Sequence, residues 1–288
     1  EPVRIGTAHD LLRALPTLRC DAGLSIAEGS GSRNREGYAP TLFEMAGIPF
    51  VGSDALTMSV SLDKAWTHRI VSASGVRVPD WRSFDHAGAI DPYDLPAFPL
   101  FVKPRGEGSA MGIAPTSKAL DVVELRAEVE RVTRLYRQPA LVEQFIGGAE
   151  FTVGVTHDGA RVLPALQRAT DRATGIGLHA LEARGSRYGR DGDQRAYDLP
   201  SVLTPGLEAE LADQTLRAFR ALGCRDFARM DFRVDAGGTP FFLEANPLPT
   251  FAPDGTFAIV AELLNQPYDA FLGDVLGHAF ERALSATR

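Results

Sequence analysis

Short apolar runs alternate with amphipathic stretches through the first eighty residues. Leu24 to Ala27 reads as a strand entering the turn-rich Glu28-Gly29-Ser30-Gly31-Ser32. Pro40 to Ala46 has helical spacing, Gly47 stops it, and Ile48 to Val51 resumes an apolar strand before Gly52. Ser53 or Asp54 can cap the next helix. Ala65 to Ser74 continues as an amphipathic helix ending at Gly75, and Val76-Arg77-Val78-Pro79 leaves it extended. This is the rhythm of an α/β layer. A Pro- and Gly-rich linker, Asp85 to Pro99, leads to the buried strand candidate Leu100-Phe101-Val102. Ala119 to Tyr136 reads as a long charged helix and Ala140 to Ile146 as another strand. Phe151 to Thr156 and Arg161 to Ala165 form a hairpin pattern around Asp158-Gly159. Ala169 to Pro200 is polar, arginine-rich and without periodicity, which marks a functional or mobile loop. Helix returns from Pro205 to Leu222, a strand pair comes next, and Ala270 to Ala286 closes the chain with no internal repeat.

The strand pair holds the strongest local geometry. Gly237-Gly238 is a two-residue turn signal between two alternating runs in the segment Ala228 to Asn246. With the turn centred there, Asp231 lies across from Glu244 and Arg229 across from Asn246. Alternation then puts Arg229, Asp231, Phe242, Glu244 and Asn246 on one face, and Met230, Phe232, Leu243 and Ala245 on the other. Two carboxylates directly opposite each other repel unless a positive charge sits between them. A divalent cation would supply it, and two carboxylates with an amide oxygen are hard ligands suited to magnesium or manganese. Neutralisation of both acids by solvent or arginine is the simpler alternative. Arg229 could be the ion-pair partner or a clamp for a developing oxyanion.

Two further segments carry candidate chemistry. Lys103 ends a strand and enters a loop with glycines at 106, 108 and 112, whose backbone N–H groups could cradle phosphate. It is neither a Walker A loop nor a dinucleotide fingerprint. Glu143, on an apolar strand, and Glu150, after Gly147-Gly148, could hydrogen-bond a ribose or an adenine amine, although either alone reads as a surface residue. The six histidines, at 9, 68, 86, 157, 179 and 278, show no metal-like or triad-like spacing and read as structural.

Composition narrows the classes. At 288 residues, with 44% apolar and 23% charged, the chain has ordinary globular content and is long enough for a sizeable core. Its net charge of −7 supplies no global field for nucleic acid or an anionic membrane. Cys20 and Cys224 have neither zinc-site nor redox-pair spacing. No apolar run approaches the ~18 residues of a membrane span and no leader is evident, so the cytoplasm is the expected compartment. Of the 30 basic residues only Lys64, Lys103 and Lys118 are lysine, which hints at positions where a compact ammonium is needed.

Lys103 with its glycine loop, the Glu143 to Glu150 segment and the Arg229/Asp231/Glu244/Asn246 hairpin resemble, in that order, the ATP-grasp superfamily. Within it the chain is similar to the D-alanine–D-alanine ligase family, and the likeness extends through Gly47 to Ser53 and Leu62-Asp63-Lys64. The resemblance implies an α/β (α+β) ATP-grasp fold with a partial N-terminal Rossmann-like domain. It implies three parts, 1–60, 61–148 and 149–288, the first incomplete. Lys64 and Lys103 would contact ATP phosphates, with Glu107 and Ser109 in the loop above them. Glu143, Phe145, Ile146 and Leu243 would frame adenine, and Glu150 would meet the ribose. Asp231, Glu244 and Asn246 would hold two Mg2+ (or Mn2+) ions, and Arg229 would stabilise the tetrahedral intermediate. The implied partners are a small carboxylate and a small amine, and the implied assembly is a homodimer. The carboxylate would take the γ-phosphate to give an acyl phosphate, and the amine would then displace phosphate to form an amide.

The chain departs from the family pattern around substrate. Glu28-Gly29 and Arg33-Asn34-Arg35-Glu36-Gly37 replace a His-Gly and a Gly-Glu-Asp-Gly run, with a small insertion. Pro247 to Phe251 and Asp254-Gly255-Thr256-Phe257 replace the run toward a glycine and a Ser-Leu pair that hold the acceptor carboxylate. Glu28, Arg35, Thr250 and Gly255 are therefore the substrate-side candidates. The expected activity is amide or dipeptide formation on amino-acid-like substrates other than two D-alanines. The alternatives are a D-alanine–D-alanine ligase of peptidoglycan synthesis and a non-catalytic nucleotide-binding protein.

Overall fold

The computed structural model describes residues 1–177, 180 and 197–285. Expectations that fall on His179, on most of the Ala169 to Pro200 stretch and on Ala286 lie outside these residues.

Helix α1 (Ala8–Ala14) is closed by a capping box in which Thr7 and Asp10 satisfy each other's backbone N–H. Strand β1 (Gly23–Leu24) pairs in parallel with β2 (Phe50–Val51) across the intervening helix α2 (Tyr38–Ala46), which Gly47 ends at φ 66°. Both strands are shorter than the apolar runs suggest. Leu24 and Ile26 face solvent, so Ser25 to Ala27 have no surface to pack against. Between Val51 and Gly75 two helices form, α3 (Ala55–Leu62) and α4 (Lys64–Ala73). Asp54 caps the first through Thr57 N–H and Asp63 the second through Trp66 N–H.

A four-stranded antiparallel sheet comes next, built from β3 (Trp81–Phe84), β4 (Leu100–Pro104), β5 (Lys118–Ala119) and β6 (Ala140–Gln144) in the order β3-β6-β4-β5. Helix α5 (Val122–Tyr136) starts three residues later than its charge pattern suggests, because Lys118 and Ala119 pair with β4 and Asp121 supplies the cap. Its Leu125, Val129 and Val132 pack on Leu100, Val102 and Val142.

The second large sheet contains β7 (Ala149–Thr156), β8 (Arg161–Val162) and β9 (Leu166–Arg168). After the two-residue pair β10 (Thr170–Asp171) and β11 (Tyr197–Asp198) come helix α6 (Pro205–Ala221), β12 (Ala228–Val234) and β13 (Pro240–Asn246). The antiparallel order is β13-β12-β7-β8, with β9 also on β7. Phe151, Met230, Phe232 and Phe242 form its core against Leu211, Ala218 and Phe219 of α6. Two helices finish the chain, α7 (Thr256–Leu263), which the sequence pattern did not reveal, and α8 (Tyr268–Ser285).

One buried acid joins the first strands to the last helix. Asp226, at φ 60°, accepts from Gly52 N–H at 2.6 Å and from Nε and Nη2 of Arg282, whose Nη2 also donates to Phe50 O at 3.0 Å. The base of β12, strand β2 and helix α8 therefore share one charge cluster.

Candidate active site

The site is a cleft between the two large sheets. On the β12–β13 side, Arg229 pairs with Asn246 and Asp231 with Glu244, the register the sequence predicts. The turn is longer than the glycine pair alone suggests. Asp235 accepts from Gly237 and Thr239 N–H, and Val234 faces Pro240. The difference is absorbed by a β-bulge, since the register shifts between Asp231 and Phe232, so Phe232 faces Phe242 and Leu243 is the extra residue. That shift corrects the predicted faces: Phe242 turns into the core with Phe232, and Leu243 turns to the cleft beside Glu244.

Each acid of the pair already has a cation. Asp231 receives Arg229 at 2.9 Å, Asn246 Nδ2 at 3.2 Å and Thr152 Oγ1 at 2.9 Å. Glu244 lies 3.3 Å from Lys64 Nζ. Burial works to raise Glu244, but Lys64, Lys103 and Arg229 outweigh it and hold its carboxyl down at about 2. Arg229 keeps its charge although buried, because Asp231 and Glu244 overcome the cost of burial, and its Nε has no partner. Among the described residues no cluster of three His, Cys, Asp or Glu forms. The donor set here is two carboxylates and an amide, all hard oxygens, which fits a magnesium ion completed by phosphate oxygens or water.

Across the cleft, Lys103 on β4 is buried and lies 2.8 Å from Glu143 on β6. The other Glu143 oxygen is 3.4 Å from His68 Nε2, which also lies 3.0 Å from Leu243 O. Burial pushes His68 down, so its imidazole is neutral and Nε2–H donates to the carbonyl. His68, held edge-on between Trp81 and Phe242, thereby links α4, β6 and β13 at the back of the cleft. Phe145, Ile146 and Leu243 line the apolar end with Phe101 and Ile176. Glu150 is not free: Arg233 reaches it at 3.2 Å and also donates to Ile146 O and Gly175 O. Burial raises Glu150 against that pairing. Arg233 continues the Arg229, Asp231 alternation by two residues, so strand period alone could have found it. Lys118, the third lysine, donates to Thr174 O and sits 4.4 Å over the Phe145 ring.

The glycine loop is braced from below. Lys64 Nζ donates to Glu107 O, and the Glu107 carboxylate takes Gln138 at 2.7 Å and Arg35 at 3.0 Å. Arg35 therefore points to this loop and not into open cleft. Ser109 and Ala110 adopt left-handed φ of 50° and 55° at the apex and line the same cavity as both site lysines. In the loop of residues 28–37, burial pushes the Glu36 carboxyl up to about 7, with Arg35 opposing and Glu28 adding to the rise. Thr250 and Gly255 lie together in the turn before α7, where Gly255 is the N-cap. Arg168 on β9 donates to Thr256 Oγ1 at 2.5 Å. Burial and the neighbouring Arg229 both lower the Arg168 pKa, so two cations converge on this side of the cleft. Arg168 falls between the Arg161 to Ala165 strand reading and the aperiodic stretch that begins at Ala169, and no sequence signal singled it out.

Two antiparallel sheets closing on a lysine-lined cleft with paired carboxylates define an ATP-grasp enzyme. Residues 70–268 match the family described as D-ala D-ala ligase C-terminus. A D-alanine–D-alanine ligase of Bordetella petrii is 29% identical over 265 residues, covering 90% of this chain and 76% of that one. The solved D-alanine–D-alanine ligase of Bacillus anthracis superposes with a TM-score of 0.76 at 22% identity, covering 99% and 88%. The VanG D-Ala:D-Ser ligase of Enterococcus faecalis gives 0.73 at 23% identity, covering 91% and 74%. The chain belongs to the D-alanine–D-alanine ligase family of ATP-dependent, ADP-forming C–N ligases. No described helix is long and apolar enough to cross a membrane.

Proposed function

We propose that the protein forms a dipeptide bond between two small D-amino acids, with D-alanine as the first candidate for both. The observation that carries this reading is the Asp231/Glu244 pair facing Lys64 and Arg229 in the cleft that also holds Lys103. The relatives' names shift the weight toward D-alanine and away from the other amino acids expected above. Lys64 and Lys103 hold the nucleotide phosphates, Ser109 and the loop backbone cover them, and Phe145, Ile146 and Leu243 enclose the base. Asp231, Glu244 and Asn246 hold the metal, which when bound neutralises charge on the transferring phosphoryl group. Glu143 supports Lys103 and, with Glu150, lies at the base and ribose end. Arg229, with its unpartnered Nε, stabilises the oxyanion that forms when the amine attacks.

A second reading, an acceptor other than D-alanine, is favoured by Arg168. Asp254-Gly255-Thr256-Phe257 stand in sequence where the family pattern runs to the Ser-Leu pair, Arg168 bonds Thr256, and a cation beside that stretch suits an acceptor with an additional anionic or strongly polar group. The test is ADP and phosphate release with Mg-ATP against D- and L-amino acids, singly and in pairs, followed by product mass. D-alanyl-D-alanine as the dominant product supports the first reading. A mixed dipeptide from D-alanine and a polar acceptor supports the second, and no ADP release from any pair removes both.

A further inference from the structure

Loop residues 28–37 and the glycine loop after β4 come from different parts of the chain, yet they are locked together by buried charge. Arg35 is 6% exposed, and its guanidinium is occupied by the glycine loop: Nη1 donates to Gly106 O at 3.0 Å and Nη2 to Glu107 Oε2 at 3.0 Å. Beside it, Arg33 reaches Asp63 at 3.2 Å, and Asp63 clasps Arg105 through two bonds of 2.7 and 2.9 Å. Gln138 takes the remaining Glu107 oxygen and the Gly106 N–H. The base of the loop is thus fixed on three sides, and Ser109 and Ala110 are left at its apex.

The charge balance gives this brace a function. Glu107 lines the same cavity as Lys64, Lys103 and Ser109, where the proposed function puts a triphosphate. A bare carboxylate there would repel the phosphates. Among the described residues Arg35 makes the only ion pair to the Glu107 carboxylate, since Lys64 bonds its backbone oxygen instead. A buried pair that loses one partner leaves an uncompensated charge, which costs far more than the pair contributes.

We propose that Arg35 is a positioning residue for nucleotide binding: it neutralises Glu107 and fixes the glycine loop, and so joins the loop bearing Glu28 and Glu36 to the phosphate site. Its guanidinium is taken up by Ser32 O, Gly106 O and Glu107, so it acts through the loop. This inference rests on the ligase reading for the identity of the nucleotide.

The experiment is Mg-ATP affinity by calorimetry, with KM for ATP, in the wild-type chain, Arg35→Met, Glu107→Gln and the double variant. Met keeps the alkyl stem and removes the charge. Arg35→Met is expected to weaken ATP binding about tenfold or more. The double variant is expected to return to within about threefold of Glu107→Gln, because the repelling charge has gone as well. A purely structural Arg35 would show no such rescue. Wild-type affinity in Arg35→Met, or a double variant as weak as the two losses added, would overturn the proposal. If Arg35→Met does not fold, Arg35→Lys carries the test: about threefold weaker binding is expected, because a lysine lacks the fork that reaches both Gly106 O and Glu107. Unchanged affinity in that variant would also overturn it. Failure of the wild-type chain to bind Mg-ATP would instead sink the ligase reading, and this inference with it.

Discussion

Glu244 and Glu36 are both carboxylates taken largely out of water, and their surroundings drive them in opposite directions. On the β12–β13 hairpin, Lys64, Lys103 and Arg229 hold Glu244 ionised far below the ordinary carboxylate range. In loop residues 28–37, burial lifts Glu36 to about 7 and outweighs the opposing charge of Arg35 beside it. The hairpin is thus a region of compensated charge on a paired sheet. The loop region keeps charge in reserve, with Glu36 poised to titrate close to neutral pH. The two regions therefore settle a half-buried acid in different ways, one with neighbouring cations and the other with a proton.

The strongest way to break the comparison is to unbalance the hairpin. Asp231→Asn keeps a hydrogen-bonding side chain of the same size but leaves Arg229 without its nearest counter-charge. ADP release is expected to fall by about three orders of magnitude or more, with a thermal midpoint within a few degrees of the wild type. Normal turnover in this variant would remove the metal role assigned to the pair. A smaller effect is expected on the acceptor side. Arg168→Met should raise KM for the amine substrate about tenfold more than KM for ATP, read from steady-state kinetics with each substrate varied. An equal rise in both would place Arg168 in the shared framework and not in acceptor selection.

The smallest effect concerns Glu36 alone and depends on pH. Its folded value of about 7 lies above the ordinary 4.5, so the native state holds a proton that the unfolded chain has lost between those values. Stability is therefore expected to decline as pH rises from 4.5 through 7 and to stay lower above it. Glu36→Gln should gain about 1–2 kcal/mol at pH 8, discounted for partial exposure, and nothing at pH 4, measured by chemical denaturation. A gain of the same size at both pH values would mean that packing, not ionisation, is responsible.

Much of the hairpin could be read before any coordinates, because strand period and a glycine turn depend only on neighbours in sequence. The Arg229/Asn246 and Asp231/Glu244 pairings come from that arithmetic. What the arithmetic missed is the bulge, which depends on how Phe242 packs against Phe232 and on a turn organised by the Asp235 side chain. Lys103 and Glu143 were legible as candidates, but their contact needed the β4–β6 pairing. His68 looked structural and is, yet it holds the two walls of the cleft together. The contacts of Arg35 and Arg168 were the least legible, since each spans distant loops or strands and no local period records such a meeting. Two helices, α1 and α7, escaped for a similar reason: each is only two turns long, and tertiary burial of Leu11 and Phe257, not periodicity, secures it.

The bulge at Leu243 also divides strand β13 into two parts with different tolerance to length. On the turn side, losing or gaining one residue between Asp235 and Thr239 only reshapes a loop, and both faces of the strand keep their assignments. On the far side, between Leu243 and Asn246, the same one-residue change inverts parity and sends Glu244 to the core and Ala245 to the cleft. The turn between Asp235 and Thr239 can therefore change length without moving the two acids, whereas the run from Leu243 to Asn246 is held to a fixed count.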